Sequence, residues 1–84
     1  MKTSLNVLQT MAENHQKIAV LTCYDATFAA VLDNAGVDVL LVGDSLGNVL
    51  HGSDTTLAVT LGDMIYHTRC VARGASNAFI IADM

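Results

Sequence analysis

The chain has 84 residues, 52% of them hydrophobic, 14% charged and 5% aromatic, with four Lys or Arg against eight Asp or Glu and a formal charge of −4. That length suits one small domain burying roughly 60–65% of the surface its unfolded form exposes. A composition this apolar leads us to expect that something beyond the chain covers part of its surface. Lys2, Lys17, Arg69 and Arg73 form no cluster able to follow a phosphate backbone, so nucleic acid is not an expected partner.

Ser4, Asn6, Gln9 and Thr10 interrupt any signal-peptide apolar region, and no apolar run approaches the ~18 residues of a membrane span. A cytoplasmic protein without membrane partners is expected. Cys23 and Cys70 lie far apart, with no CxxC and no histidine at metal spacing, and read as two reduced thiols.

Thr3 or Ser4 can cap a first helix with apolar positions Leu5, Leu8, Met11 and Ala12, ending near Glu13-Asn14-His15-Gln16, as an amphipathic lid or packing helix. Ile18-Ala19-Val20-Leu21-Thr22 reads as a strand. Asp25 then caps a helix bearing Phe28, Val31, Leu32 and Ala35 and stopped by Gly36. Val39-Leu40-Leu41-Val42 is apolar at successive positions, the pattern of a parallel strand covered on both faces, and ends at Gly43.

From Gly43 to Thr56, glycines and small polar residues predict a long loop, with a brief extended piece at Val49-Leu50. Thr60, with Asp63 three residues on, resembles a capping box. It opens a helix whose stripe is Leu61, Met64, Ile65, Thr68, Val71 and Ala72, with Gly74 as its stop. Phe79-Ile80-Ile81-Ala82 makes a third buried strand with Asp83 at its exit. No repeat, low-complexity tract, proline or linker divides residues 1–84, so they form a single segment: an N-terminal helix over 1–16, then three strands and two crossover helices over 17–84. The order implies an α/β fold of parallel strands joined by right-handed crossovers. A (β/α)8 barrel typically needs ~250 residues, so this would be about a third of one, with the helix after the third strand missing.

Ligands of such folds gather at the carboxyl ends of the strands. Tyr24 and Asp25 follow the first strand, Asp44 and Ser45 the second, and Asp83 the third. If the second and third strands are neighbours ~4.8 Å apart, the Asp44 and Asp83 carboxylates come within about 6 Å. At an effective dielectric near 20 they repel by roughly 3 kcal/mol, about two pKa units. A proton or a divalent cation relieves this, and Mg²⁺ held by two aspartates keeps positions for a bidentate α-keto acid. The alternatives are that Asp44 is a turn residue bonding its own backbone and Asp83 a helix cap.

Gly43-Asp44-Ser45-Leu46-Gly47 also fits G-x-S-x-G, the turn that presents a nucleophilic serine. That turn runs from strand through serine directly into a helix, and Gly47-Asn48-Val49-Leu50-His51-Gly52 is poor helix sequence. Neither His51 nor His67 is evidently ordered against Ser45 with an acid behind it. His67 reads as a packed or half-exposed helical residue and His15 as solvent-facing. Glycines 43, 47 and 52 do not spell a nucleotide-binding loop.

The stretch from Lys17 to Met84 resembles the start of ketopantoate hydroxymethyltransferase. The resemblance rests on Val42-Gly43-Asp44-Ser45-Leu46-Gly47, Thr56-Leu57-Ala58-Val59-Thr60, Tyr66-His67-Thr68 and Ala82-Asp83. It implies the first βα units of a (β/α)8 TIM barrel of the phosphoenolpyruvate- and pyruvate-binding type, assembled as a homo-oligomeric decamer. The implied reaction transfers the one-carbon unit of 5,10-methylenetetrahydrofolate to 3-methyl-2-oxobutanoate, giving 2-dehydropantoate in pantothenate biosynthesis. Mg²⁺ would stabilise the enolate. By the same resemblance Asp44 and Asp83 hold Mg²⁺ and contact substrate and Ser45 holds the keto acid's carboxylate; Tyr24, by its place after the first strand, is a further substrate-contact candidate.

The resemblance implies that no catalytic residue falls in this chain, because in the family the general-base glutamate, a substrate-contacting lysine and a further glutamate lie beyond the position of Met84. The chain alone is therefore expected to be inactive, as a truncated product or part of a longer one. Ala58 replaces a proline common in the family's loop, and Asn48 and His51 stand where other residues are usual. A small serine hydrolase using Ser45, and a non-catalytic fragment binding a partner through its exposed sheet edge, are the alternatives.

Overall fold

The computed structural model describes all residues except 1, 44, 50, 51, 53, 55–58 and 84, and for 47 and 48 the backbone alone. In chain order its elements are α1 (Leu5–Glu13), β1 (Val20–Thr22), α2 (Ala26–Asn34), β2 (Val39–Gly43), α3 (Leu46–Val49), α4 (Leu61–Gly74) and β3 (Phe79–Asp83). The strands form one parallel sheet in the order β1-β2-β3, with Val20 beside Val39 at one end and Gly43 beside Asp83 at the other. This is an α/β fold, and it accords with the start of a barrel. No helix among the described residues is long and apolar enough to cross a membrane.

Each long helix starts on a side chain that satisfies an otherwise orphaned N–H. Val7 N–H donates to Ser4 Oγ at 3.3 Å, and Phe28 N–H donates to Asp25 Oδ1 at 2.8 Å. At α4 the predicted capping box forms with aspartate in its third position: Asp63 N–H donates to Thr60 Oγ1 at 3.1 Å, and Thr60 N–H to Asp63 Oδ2 at 3.0 Å.

Helices α1 and α2 end alike. His15 (φ 58°) and Gly36 (φ 91°) take the left-handed conformation, so that Gln16 N–H reaches Met11 O at 2.8 Å and Val37 N–H reaches Leu32 O at 3.1 Å. Helix α4 ends differently. Gly74 lies within it, the cap is Ala75 in extended conformation, and a Cβ at Gly74 would sit 2.9 Å from the Ala26 carbonyl carbon and closer still to its oxygen. Glycine at 74 thus serves the close approach of α4 to the start of α2 rather than stopping the helix.

The core forms where α2 packs on α4 and α4 lies on β2 and β3. Leu40, Val42, Leu46, Ala29 and Val71 are fully enclosed, and β2 is buried at four of its five positions, as its unbroken apolar run predicts. Each such Leu or Val contributes about 1.5–3 kcal/mol relative to exposure.

Several expectations are corrected. The third strand is half-buried at Phe79 and Ile80 but exposed from Ile81 onward, and β1 is exposed throughout, because both are edge strands with a neighbour on one side only. In α2, Phe28 and Val31 face outward, while Ala29 and Asp33 are the buried residues. Within α4, Met64 and Val71 are buried whereas Leu61, Ile65 and Ala72 are exposed. Leu5 and Ala12 of α1 are exposed, and Val7, Leu8 and Met11 are its half-buried side. The segment after Ser45 begins as a helical turn rather than a loop with Val49 extended. Val49 N–H closes on Ser45 O at 3.1 Å, and the fully buried Leu46 anchors the turn in the core.

At the amino end of the sheet two aspartates stitch the backbone. Buried Asp33 accepts from Ser76, Asn77 and Ala78 N–H at 3.1, 3.0 and 2.7 Å, fixing the turn between α4 and β3. Asp38 accepts from Ala19 N–H at 2.9 Å, and its own carbonyl receives Phe79 N–H at 2.9 Å, tying all three strands together at that end.

Candidate functional site at the strand ends

The carboxyl ends of the three parallel strands bring Tyr24, Ser45 and Asp83 to one rim. Tyr24 Oη and Ser45 Oγ lie 2.6 Å apart, a short hydroxyl–hydroxyl hydrogen bond joining the exits of β1 and β2. His67, half-buried on α4, donates from Nδ1 to the Tyr24 carbonyl at 2.8 Å, and its ring stands edge-on to that of Tyr66. Three elements therefore converge on Tyr24.

Asp83 ends β3 with an exposed side chain, and in the parallel register it is the partner of Gly43. A Cβ on Gly43 would lie 3.8 Å from the Asp83 carbonyl oxygen and 3.9 Å from Ser45 Oγ. The rim of β2 and β3 is thus a small region shared by the strand-end aspartate and the serine. Asp44, the other proposed ligand, follows Gly43 in sequence and lies outside the described residues, as do His51 and Ala58. No group of three or more His, Cys, Asp or Glu converges among the described residues. Asp25, at the same rim, is committed to capping α2.

The perturbed ionisable groups separate by position. Burial pushes the Cys23 thiol above its usual range, and the nearby Asp25 charge adds to this against opposing backbone hydrogen bonds, so Cys23 stays protonated and is no nucleophile. Burial also pushes the Asp33 carboxyl up, but the N–H groups of Ala78, Asn77 and Ser76 outweigh it and hold the group below the usual carboxylate range. Asp33 belongs to the opposite end of the sheet, where its chemistry is structural.

Ser45 is followed by a short helix after all, so the strand–serine–helix outline of a nucleophile elbow is met. Its hydroxyl, however, is paired with a phenol, not with an imidazole backed by an acid, and nothing here favours a hydrolase. Sequence reasoning passed over two residues. His67 reads in sequence only as a packed or half-exposed helical residue within Tyr66-His67-Thr68, and nothing local announces its bond to Tyr24 43 positions away, while Asp33 looks like one more polar residue near a helix end.

A parallel α/β chain with hydroxyls and a carboxylate gathered where the strands finish belongs to the class that binds small ligands at strand ends. The ketopantoate hydroxymethyltransferase family model matches residues 2–84. The chain is 64% identical over 84 residues to the 3-methyl-2-oxobutanoate hydroxymethyltransferase of Nitrosospira multiformis, covering 100% of this chain and 32% of that protein. The corresponding enzymes of Nitrosomonas europaea (64% over 83 residues, 99% of this chain and 31% of that protein) and Chromobacterium violaceum (61% over 84 residues, 100% and 32%) are similarly close. This chain belongs to the ketopantoate hydroxymethyltransferase family, and it spans about a third of the length of these curated relatives.

Proposed function

We propose that this chain supplies the first three strands of a (β/α)8 barrel of the phosphoenolpyruvate- and pyruvate-binding type. The complete cytoplasmic enzyme transfers a hydroxymethyl group from 5,10-methylenetetrahydrofolate to 3-methyl-2-oxobutanoate, giving 2-dehydropantoate. The observation that carries this reading is family membership over residues 2–84, together with a rim at which Asp83 is level with the residue preceding Asp44.

The residues fit a magnesium site. Asp83 offers an exposed carboxylate to which no described residue donates a hydrogen bond, and hard oxygen donors suit Mg²⁺, which needs only one or two carboxylates because it keeps waters or substrate oxygens. In this proposal Asp44 and Asp83 hold the ion and, through it, border the substrate. Bound there, Mg²⁺ would act as a Lewis acid on the keto acid and as a template for its orientation. Ser45, braced by Tyr24, donates to the keto acid's carboxylate. The sequence contains a single glutamate, Glu13 of α1, and no general base is assigned within it. Phe28, Val31, Leu61, Ile65 and Ile81 are exposed apolar side chains that the rest of a barrel and the partner subunits of a decamer would cover.

The test is exchange of the C3 proton of 3-methyl-2-oxobutanoate in D₂O with Mg²⁺, using the intact protein. Asp44→Ala and Asp83→Ala are each expected to slow exchange by about 100-fold or more. Unchanged exchange in either variant removes that residue from the site.

A further inference from the structure

We propose that His67 is a positioning residue for the substrate-carboxylate contact, acting through Tyr24 on Ser45. The proposal deepens the keto-acid reading and rests on it for the identity of the ligand, while the coupling itself stands on the geometry of three side chains.

The hydrogen bonds run in series from one element to the next. His67 Nδ1–H on α4 is donated to the Tyr24 carbonyl at 2.8 Å, and the Tyr24 phenol meets Ser45 Oγ at 2.6 Å. Tyr24 lies beyond the end of β1, in a stretch with no strand ladder of its own, whereas Cys23 before it is still held by its N–H on Leu41 O at 3.0 Å. The peptide carrying Tyr24 is oriented on one side by Asp25 as the cap of α2 and on the other by His67. Removing the imidazole frees the 24–25 peptide to rotate, and the phenol swings with it.

The consequence for Ser45 follows from proton counting. The two hydroxyls carry two protons, and their mutual bond uses one of them, whichever group donates. With the phenol donating to Ser45 Oγ, the O–H that remains for a ligand is the serine's, at the rim it shares with Asp83. A ligand carboxylate, which only accepts, is the chemistry such a donor serves. A serine unpaired from Tyr24 could rotate and direct its proton to solvent or to a backbone carbonyl.

Two variants separate positioning from loss of fold. His67→Leu removes the donor, whereas His67→Asn returns an N–H close to where Nδ1 stood. In the intact protein with ¹³Cζ-labelled tyrosine, the Tyr24 phenol resonance is expected to move in His67→Leu, toward the value in Ser45→Ala, and to return in His67→Asn. An unmoved resonance in His67→Leu overturns the coupling, and so does failure of His67→Asn to restore it while thermal melts match the parent. Steady-state rates then read the consequence: KM for 3-methyl-2-oxobutanoate rises about 10-fold in His67→Leu with kcat within about 2-fold, and His67→Asn recovers most of it. A fall in kcat at unchanged KM contradicts the assigned role. If the parent does not bind the keto acid, the functional reading fails on that measurement, and the labelled tyrosine still decides whether His67 positions Ser45.

Discussion

Gly43 and Asp83 are register partners at the carboxyl end of the β2–β3 ladder. This pairing turns two sequence-distant motifs, the GDS turn and the aspartate ending the third strand, into neighbours on one rim. A shift of one residue in either direction would send every side chain of β3 to the opposite face. The register is held at the far end by Asp38, whose carbonyl takes Phe79 N–H, and by Asp33, which gathers the three N–H groups just before β3.

Asp33 is therefore expected to matter to stability although it lies away from the rim. Asp33→Ala strands three donors, of which the Ala78 N–H is buried and the other two part-buried, and should cost about 2–3 kcal/mol in urea unfolding of the intact protein, with Asp33→Asn nearer 1–2 because one oxygen survives. Because the folded carboxyl titrates below its ordinary 3.8, its stabilisation is complete above that value and is lost as pH falls through the lower, folded one. Unfolding of the parent below about pH 4 should show this loss, and Asp33→Asn should flatten it.

Gly74 and Gly62, both in α4, should respond oppositely to alanine. Helix propensity favours alanine by up to about 1 kcal/mol at each. A Cβ at 74 would overlap Ala26 backbone, which costs about 1–3 kcal/mol, whereas at 62 it meets only Thr60 Oγ1 at 3.6 Å. Thermal melts should show Gly74→Ala destabilised and Gly62→Ala unchanged or slightly stabilised.

At the end of α1, His15 holds a conformation that glycine adopts without steric cost. His15→Gly should relieve about 1–2 kcal/mol of left-handed backbone strain against about 0.5–1 kcal/mol of extra chain entropy in the unfolded state. The net gain is up to about 1 kcal/mol, measurable by urea titration, and His15→Ala should show none.

The two thiols should label in a fixed order. Cys70 is half-exposed, whereas Cys23 is 2% exposed with its thiol pushed up by burial. Alkylation of the native protein at pH 8, followed by peptide mapping, should therefore modify Cys70 first.

Much of this was legible in residue order because the signals are local. The caps at Ser4, Asp25 and Thr60, the stop at Gly36 and the apolar run of β2 each depend on residues within a few positions. What was not legible depends on distance along the chain. Nothing near Asp33 tells that it will meet residues 76–78, and nothing near His67 points to Tyr24. The exposed faces of β1 and β3 could not be read from composition, since an apolar strand looks the same whether or not a further layer covers it. The short helix after Ser45 escaped notice because three of its four residues, Gly47, Asn48 and Val49, are poor helix formers, and burial of Leu46 overrides that propensity. The rim itself was anticipated from strand order and family resemblance, with Tyr24 and Ser45 found in contact and Asp83 level with Gly43.

The most direct test of the rim is hydrogen–deuterium exchange by mass spectrometry on the intact protein, with and without 3-methyl-2-oxobutanoate and Mg²⁺. Protection is predicted in peptides carrying Tyr24, Ser45 and Asp83, with those carrying Asp38 and Ser76 unchanged. Protection confined to the Asp38 and Ser76 end, or none at Ser45 and Asp83 at saturating keto acid, would contradict a ligand site where the strands finish.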